Sequence, residues 1–160
     1  EKIDIKAVKG NLYLVNNKCN IEGILKSLKG SNSMDTREIH IYVGEIKVSG
    51  KLNDSLCATA IWDSLPISTK CNTWGDEIYF SIGLNFPEDS NSTDVVESGT
   101  LAFWPPGNAF CIFYGLTPAS SNDDEIRAAS PVNIIGSISE DEKVFRSIAS
   151  GTEITVSKAE

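Results

Sequence analysis

Short stretches in which apolar and polar residues alternate are the feature that most limits how this chain can fold. In residues 77–82, Ile78 and Phe80 fall on one face, whereas Glu77 and Tyr79 fall on the other. A period of two is typical of a strand with one buried face. Consecutive stretches are joined by turns instead of helices, which favours an antiparallel barrel or an α+β sheet. The other strands predicted in this way cover residues 39–43, 46–52, 101–104, 109–114, 132–138 and 153–158.

The stretch 109–114 is apolar on both faces, as a buried strand is. Alternation places Cys111 and Phe113 on the side opposite Phe110 and Tyr114, so only one of these pairs can line a given cavity. Polar residues rich in proline, serine, asparagine and aspartate predict surface loops on either side of this region. These loops cover residues 85–98 and 117–125.

Two segments carry helix signals. The first covers residues 55–65, where Asn53 or Asp54 is positioned to cap the amino end. The second covers residues 140–149 and opens with the Ser-x-x-Glu spacing of a capping box at Ser139. The chain is therefore mainly β, with two short helices.

Residues 1–35 form a separate amino-terminal unit that reads as strand, turn, strand and helix. A polar break of glycine, serine and asparagine at 30–33 separates it from residues 36–160. So short a unit cannot bury enough apolar surface to fold alone. We expect it to pack against the main domain or, through residues 1–30, against a second copy of the chain.

The charge balance excludes several partners. The net charge is −8, with 22 acidic against 14 basic residues, and such a surface repels a phosphate backbone. No apolar run approaches the roughly 18 residues of a membrane span. We therefore expect a cytoplasmic protein without a nucleic-acid or membrane partner.

Composition also limits the chemistry. A single histidine, His40, excludes sites built from two or three imidazoles of one chain. The four cysteines form no Cys-x-x-Cys pair, and we expect buried free thiols, although two disulfides stay possible. No glycine-rich nucleotide-binding motif is present, so we predict neither a metal site nor a cofactor.

Three unusual sequence blocks carry a resemblance to a known family. They are residues 72–80, 99–115 with its Trp-Pro-Pro-Gly run, and 129–136. Together they resemble a family of small, uncharacterised prokaryotic proteins with the cyclophilin-like fold, over residues 38–158. The resemblance implies a closed or half-open β-barrel plugged by the two short helices, with the amino-terminal unit as an extension outside it.

The cyclophilin-like fold implies prolyl cis–trans isomerisation as a candidate activity. In true cyclophilins an arginine donates a hydrogen bond to the proline nitrogen, which weakens the conjugation of the amide bond, and a glutamine orients the peptide. Here the strand that would present the arginine, at 76–80, contains no basic residue. The strand that would present the glutamine, at 109–113, keeps aromatic residues but has no glutamine.

The leading hypothesis is a non-catalytic module that binds a small molecule or an extended peptide in a groove on the barrel surface. Aromatic residues with few polar groups suit a mostly apolar pocket. Each candidate also has a structural interpretation: an exposed strand face, a strand end, the core, or a surface ion pair. The predicted ligand-binding residues are Trp74, Glu77, Tyr79, Trp104, Phe113 and Arg127.

Two other functions stay open. One is an enzyme, either a prolyl isomerase with altered residues or an activity in which Glu77 is a general base because burial raises its pKa toward neutrality. Cys111 is a poor nucleophile candidate, because its apolar neighbours raise a thiol pKa. The other is an interaction module in which residues 1–30 add strands to a sheet edge.

Overall fold

The computed structural model describes residues 37–159 and, before them, the backbone of two short strands. These two strands, β1 and β2, pair as an antiparallel hairpin in which Ile5 lies opposite Leu14. The helix predicted to follow them lies outside the described residues. The strands are β1 (Ile5–Val8), β2 (Asn11–Leu14), β3 (Arg37–Val43), β4 (Ile46–Leu52), β5 (Ile67–Lys70), β6 (Asn72–Thr73), β7 (Glu77–Ser81), β8 (Thr93–Val96), β9 (Thr100–Trp104), β10 (Ala109–Phe113), β11 (Ile126–Ile138) and β12 (Glu153–Lys158), and the α-helix is α1 (Leu56–Ser64).

Strands β3 to β12 form one antiparallel sheet that curls into a half-open barrel. Its order is β5-β12-β3-β4-β11-β9-β10-β7-β6, and β8 pairs with β11 beside this path. The strands at the two ends of the order, β5 and β6, are consecutive in sequence and are separated by Cys71 alone. The Cys71 backbone is held by the loop before β12, with its N–H 2.9 Å from the Thr152 oxygen and its carbonyl oxygen 2.8 Å from the Gly151 nitrogen.

The barrel interior is filled by the apolar faces of the alternating strands. Ile39, Ile41 and Val43 of β3 are fully buried, and β4 contributes Val48 and Leu52 in the same alternating pattern. The predicted turn between these strands is confirmed at residues 44 and 45. Helix α1 closes one side of this inner core.

The two predicted helices are present, but their amino ends differ from the sequence interpretation. Ser55, and neither Asn53 nor Asp54, is the N-cap of α1, and its Oγ accepts the Ala58 N–H at 3.2 Å. Asn53 instead accepts from the Ser55 hydroxyl at 2.6 Å and so orients the capping side chain.

The second helix is a 3₁₀ helix (Glu142–Ser147), and the capping box predicted at Ser139 is wrong. Asp141 caps this helix by accepting the Lys143 N–H at 3.0 Å. The Glu142 carboxylate instead accepts the Ser98 hydroxyl at 2.8 Å. Phe145 of this helix is fully buried, whereas its neighbour Val144 is exposed.

Strand β11 is longer than predicted and changes partners along its length. Its first half pairs with β8, inside the stretch 85–98 that we predicted as loop, and its second half pairs with β9 and β4. The register shifts between Arg127 and Val132, where Pro131 lies. Proline cannot donate to a ladder and occurs in strands mainly at such irregular positions.

The cysteines in the described part of the chain are free and buried, as predicted. They are Cys57, Cys71 and Cys111, and burial raises the pKa of each thiol. Within the described residues no helix is long and apolar enough to cross a membrane.

Candidate functional site

A second hydrophobic cluster lies on the outer surface of the barrel, where strands β7, β9 and β10 turn alternate side chains away from the inner core. Strand β8 and the first half of β11 pack over this surface. We call the set the outer cluster. Its buried members are Val96, Ala102, Ala109, Cys111, Phe113, Ala128 and Val132, and Tyr79, Trp104, Ile126 and Ile134 are partly buried against them.

Three predicted site residues, Tyr79, Trp104 and Phe113, belong to this outer cluster. Tyr79 on β7 lies directly opposite Cys111 on β10, and Trp104 on β9 lies opposite Ala109 on β10. Directly opposite side chains on neighbouring strands lie in contact distance. Residues 72–80 and 99–115 therefore form adjoining parts of one surface.

Exposure separates the roles of the three aromatic residues. Phe113 is 0% exposed, so it forms part of the floor and cannot touch a ligand without rearrangement. Tyr79 and Trp104 are half-buried and present part of their rings to solvent. The alternation predicted for β10 is confirmed, because Phe110 and Tyr114 lie in the inner core while Phe113 lies in the outer cluster.

The Trp104 ring is fixed on two sides. Its Nε1–H donates to the Ser130 hydroxyl at 2.7 Å, which links β9 to the middle of β11. A Cβ at Gly107 would lie 2.8 Å from two ring carbons, so that glycine lets the 3₁₀ helix Pro105–Gly107 pass close to the ring. The tryptophan is thus a rigid surface with its polar atom already satisfied.

Glu77 is the buried ionisable group of this region. It is 7% exposed, and it lies opposite Phe113 at the start of β7. Burial raises the pKa of Glu77 to about 7, and a hydrogen bond with the Cys111 side chain lowers it in part. Within the described residues no basic side chain contributes to this pKa, so the carboxyl has no cationic partner there.

Trp74 lies at the turn that leads into β7. Reciprocal backbone hydrogen bonds join Trp74 and Glu77, with N···O distances of 2.9 and 3.2 Å. Gly75 has a positive φ of 61°, and a Cβ there would lie 2.8–2.9 Å from residues 116–118. The turn therefore fixes where β7 and its carboxyl begin. The Trp74 ring is half-buried and, among the described side chains, joins neither hydrophobic cluster.

Arg127 is not brought together with the aromatic residues. It alternates with Ile126 and Ala128, which face the outer cluster, so its side chain turns the other way. Its guanidinium contacts Asp94 at 2.6 Å and Glu125 at 2.5 Å, and these carboxylates raise the arginine pKa. Arg127 therefore takes part in surface ion pairs, which was the alternative to ligand binding that the sequence left open for it.

The donors present limit the chemistry of the site. The residues that the structure describes contain no group of three or more His, Cys, Asp or Glu side chains placed to hold a metal ion. Strand β7 has no basic residue, and β10 has no glutamine. The arrangement offers a shielded carboxyl, two partly exposed aromatic rings and a buried thiol.

Two contributors were missed at the sequence level. The position of Cys111 beside Glu77 was missed, because their contact depends on how β7 and β10 are aligned. Ser130 carries no sequence signal of its own within the block 129–136, and its bond to Trp104 depends on the path of β11. Alternation predicted that Cys111 shares a strand face with Phe113, and this is confirmed, but alternation could not place the thiol beside the carboxyl.

Comparison with known proteins extends over most of the chain. A family model described as cyclophilin-like matches residues 37–157. The chain is similar to a hypothetical protein from Archaeoglobus fulgidus whose solution structure is known, with a TM-score of 0.68. The two are 37% identical, and the match covers 81% of this chain and 99% of that one. None of the curated proteins matches.

Proposed function

We propose that this chain, which belongs to the cyclophilin-like family, is a binding module that holds a small molecule or an extended peptide on its outer cluster. The surface in question is bordered by Tyr79 and Trp104. Glu77 is the group that would orient the ligand. Trp74 contributes from the adjoining turn, and Arg127 takes no direct part because two carboxylates already occupy it.

The observation that carries the proposal is a buried carboxyl without a cationic partner. A buried polar group that lacks a strong partner destabilises the fold, and such groups concentrate at functional sites. The Cys111 thiol, whose Sγ lies 3.8 Å from the Ala109 carbonyl oxygen, is a weak donor and lowers the Glu77 pKa only in part. A ligand with an N–H or ammonium group would complete the hydrogen bonding of the carboxyl and would be held in one orientation.

The two half-buried aromatic residues indicate the chemistry of the remaining part of the ligand. Tyr79 and Trp104 are both half-buried, and each lies directly opposite a small residue of β10, Cys111 and Ala109 respectively. Rings held in this way offer a large apolar area at little cost in side-chain entropy. We therefore expect a ligand with an apolar body that lies across β10, and one hydrogen-bond donor directed at Glu77.

The test is a binding screen on the full chain. Thermal shift would first compare a panel of aromatic amines and metabolites with a series of capped proline-containing tetrapeptides, and calorimetry would measure the hits. We expect Tyr79→Ala and Trp104→Ala each to weaken binding by at least about tenfold, since anchoring aromatic residues contribute 1.4 kcal/mol or more, by order of magnitude.

Two variants make the test specific. Val144→Ala removes an exposed apolar side chain from the 3₁₀ helix Glu142–Ser147, outside the outer cluster, and should leave the affinity unchanged. The triple change Glu77→Ala, Tyr79→Ala, Trp104→Ala should abolish binding. If every hit persists in a folded triple variant, the assignment of the site is wrong.

A second candidate function is general-base catalysis by Glu77, favoured by its pKa of about 7. A base with a pKa near the working pH is poised to take a proton. Prolyl isomerisation is the first reaction to assay because of the fold. A rate that is lost in Glu77→Gln but kept in Val144→Ala would support the enzyme. Equal rates with and without Glu77 would remove this candidate.

A further inference from the structure

A cavity of about 630 Å³ opens on a part of the barrel surface that is separate from the outer cluster. It lies over the outward faces of β3 and β4 and the carboxyl end of β12, beside the loop that leaves α1. Its volume is in the range of small-molecule sites, which run from roughly 300 to 1,000 Å³. Its lining residues are His40, Tyr42, Lys47, Leu65, Pro66, Ser157 and Lys158.

The lining has an unusual charge for this protein. The whole chain carries a net charge of −8, yet none of the lining residues is acidic and two are lysines. Within the described part of the chain, neither lysine has a carboxylate ion-pair partner. Each ammonium lies over an aromatic ring instead, Lys47 at 5.7 Å from the Tyr42 ring centre and Lys158 at 4.8 Å from the Trp62 ring centre.

The cavity also has an apolar floor and an aromatic wall. Leu65 is buried and contributes the floor with Pro66. His40 and Tyr42 stand edge to face along β3, with ring centres 6.1 Å apart. Ser157 lies directly opposite His40 on β12 and adds a hydroxyl.

Strand register sets the distance between the two lysines. Lys47 lies opposite Tyr42, and Lys158 lies opposite Ile39, three residues along the same strand. The two lysines also lie on opposite sides of β3, on β4 and β12. At about 3.3 Å per residue along β3 and roughly 4.8 Å per strand spacing across it, their backbone positions are roughly 14 Å apart. A ligand with a fused aromatic body can span the cavity with its acidic substituent at one lysine or the other.

From these features we infer that this cavity is a second binding site, for a small organic anion with an aromatic body. The ammonium groups would donate charge-assisted hydrogen bonds to a carboxylate or phosphate. The aromatic body would lie on Leu65 and Pro66 against His40 and Tyr42. This site does not depend on the function proposed for the outer cluster.

The test uses 1-naphthyl phosphate as the probe and the full chain as the receptor. His40 is the single histidine of the chain, so its ring carbon and proton signals in an NMR spectrum report this cavity without ambiguity. We expect these signals to shift in a saturable titration. Inorganic phosphate, which lacks the ring, and 1-naphthylmethylamine, which has the opposite charge, should each produce at least about tenfold weaker binding.

Matched lysine variants test whether the two lysines of the cavity bind the anionic probe. Lys47→Gln combined with Lys158→Gln should weaken the probe by at least about tenfold, and the corresponding double change to arginine should retain it. Lys51→Gln removes a lysine from the same strand outside the cavity and should have no effect. The inference is overturned if the His40 signals do not move, if the amine binds as well as the phosphate, or if the folded glutamine double variant binds like the original chain.

Discussion

At the scale of single residues, Glu77 stands apart because its buried carboxyl has a pKa of about 7 instead of 4.5. The folded state therefore holds a proton at Glu77 at pH values where the unfolded state has released it. For a carboxyl with a raised pKa, the associated stability is complete below pH 4.5 and is lost as the pH rises to about 7. Above that pH the ionised carboxyl destabilises the fold by an amount on the order of 3 kcal/mol.

This linkage gives a direct prediction for Glu77→Gln. The neutral amide has no charged form to bury, so the variant should exceed the original chain in unfolding free energy at pH 8, by up to about 3 kcal/mol. The difference should shrink toward zero as the pH approaches 4.5. Urea unfolding at both ends of this range measures it, with Glu97→Gln at an exposed position as the control. A difference that is the same at both pH values would contradict the pKa assignment.

At the scale of elements, the N-cap of α1 is a position at which the sequence and the structure indicate different residues. The sequence indicated Asn53 or Asp54, whereas the Ser55 hydroxyl holds the Ala58 N–H. We predict that Ser55→Ala lowers the unfolding free energy by about 1 kcal/mol, the usual contribution of an N-cap. Asp54→Ala, at an exposed neighbour, should change it by much less. Thermal unfolding of the two variants compares them, and a larger loss for Asp54→Ala would mean that the cap is misassigned.

A buried amide attaches the long loop before β8 to strand β11. Asn133 is 0% exposed, and its side chain accepts the Asp89 N–H and donates to the Pro87 carbonyl, both at 2.9 Å. We predict that Asn133→Ala destabilises the fold by about 2–4 kcal/mol, because two hydrogen bonds are lost and backbone groups are left without partners. Denaturant unfolding measures the change against Asn91→Ala, an exposed asparagine of the same loop. Equal effects of the two changes would show that the amide does not hold the loop.

The distribution of apolar and polar residues predicted the strands that bury at least one face, and it missed the strands that are mostly exposed or irregular. Strands β3, β4, β7 and β12 alternate visibly because their inward side chains fill the core, whereas β9 and β10 are apolar on both faces because they also carry the outer cluster. Strand β5 reads Ile-Ser-Thr-Lys and is mostly exposed at the sheet edge, so it carries little alternation. The first half of β11 contains Pro131, which signals a break although the strand continues past a register shift. For the candidate site, alternation could place only Tyr79 and Phe113 on their strand faces, and the contact of Glu77 with Cys111 required the cross-strand alignment.

At the scale of the whole molecule, the two edges of the open sheet are joined by the backbone of a single residue and not by hydrogen bonds between the edge strands. The two edge strands, β5 and β6, meet at Cys71, whose backbone is held by Gly151 and Thr152. We predict that the Cys71 amide exchanges with deuterium slowly, at the rate of the core strands. Amides of β5 and β6 that point away from their partner strands should exchange faster, by about tenfold or more, because solvent reaches them. NMR-detected exchange of the native protein measures this, and fast exchange at Cys71 would show that the link is loose.

The meeting of the two edges at Cys71 also bears on self-association. Exposed edge strands are where one sheet recruits a strand from another molecule and begins to aggregate. Here the two edges converge on a single residue, so no foreign strand can insert between them near that point. An open sheet thereby gains much of the protection of a closed one, and unwanted intermolecular pairing is confined to the stretches of β5 and β6 farthest from their junction.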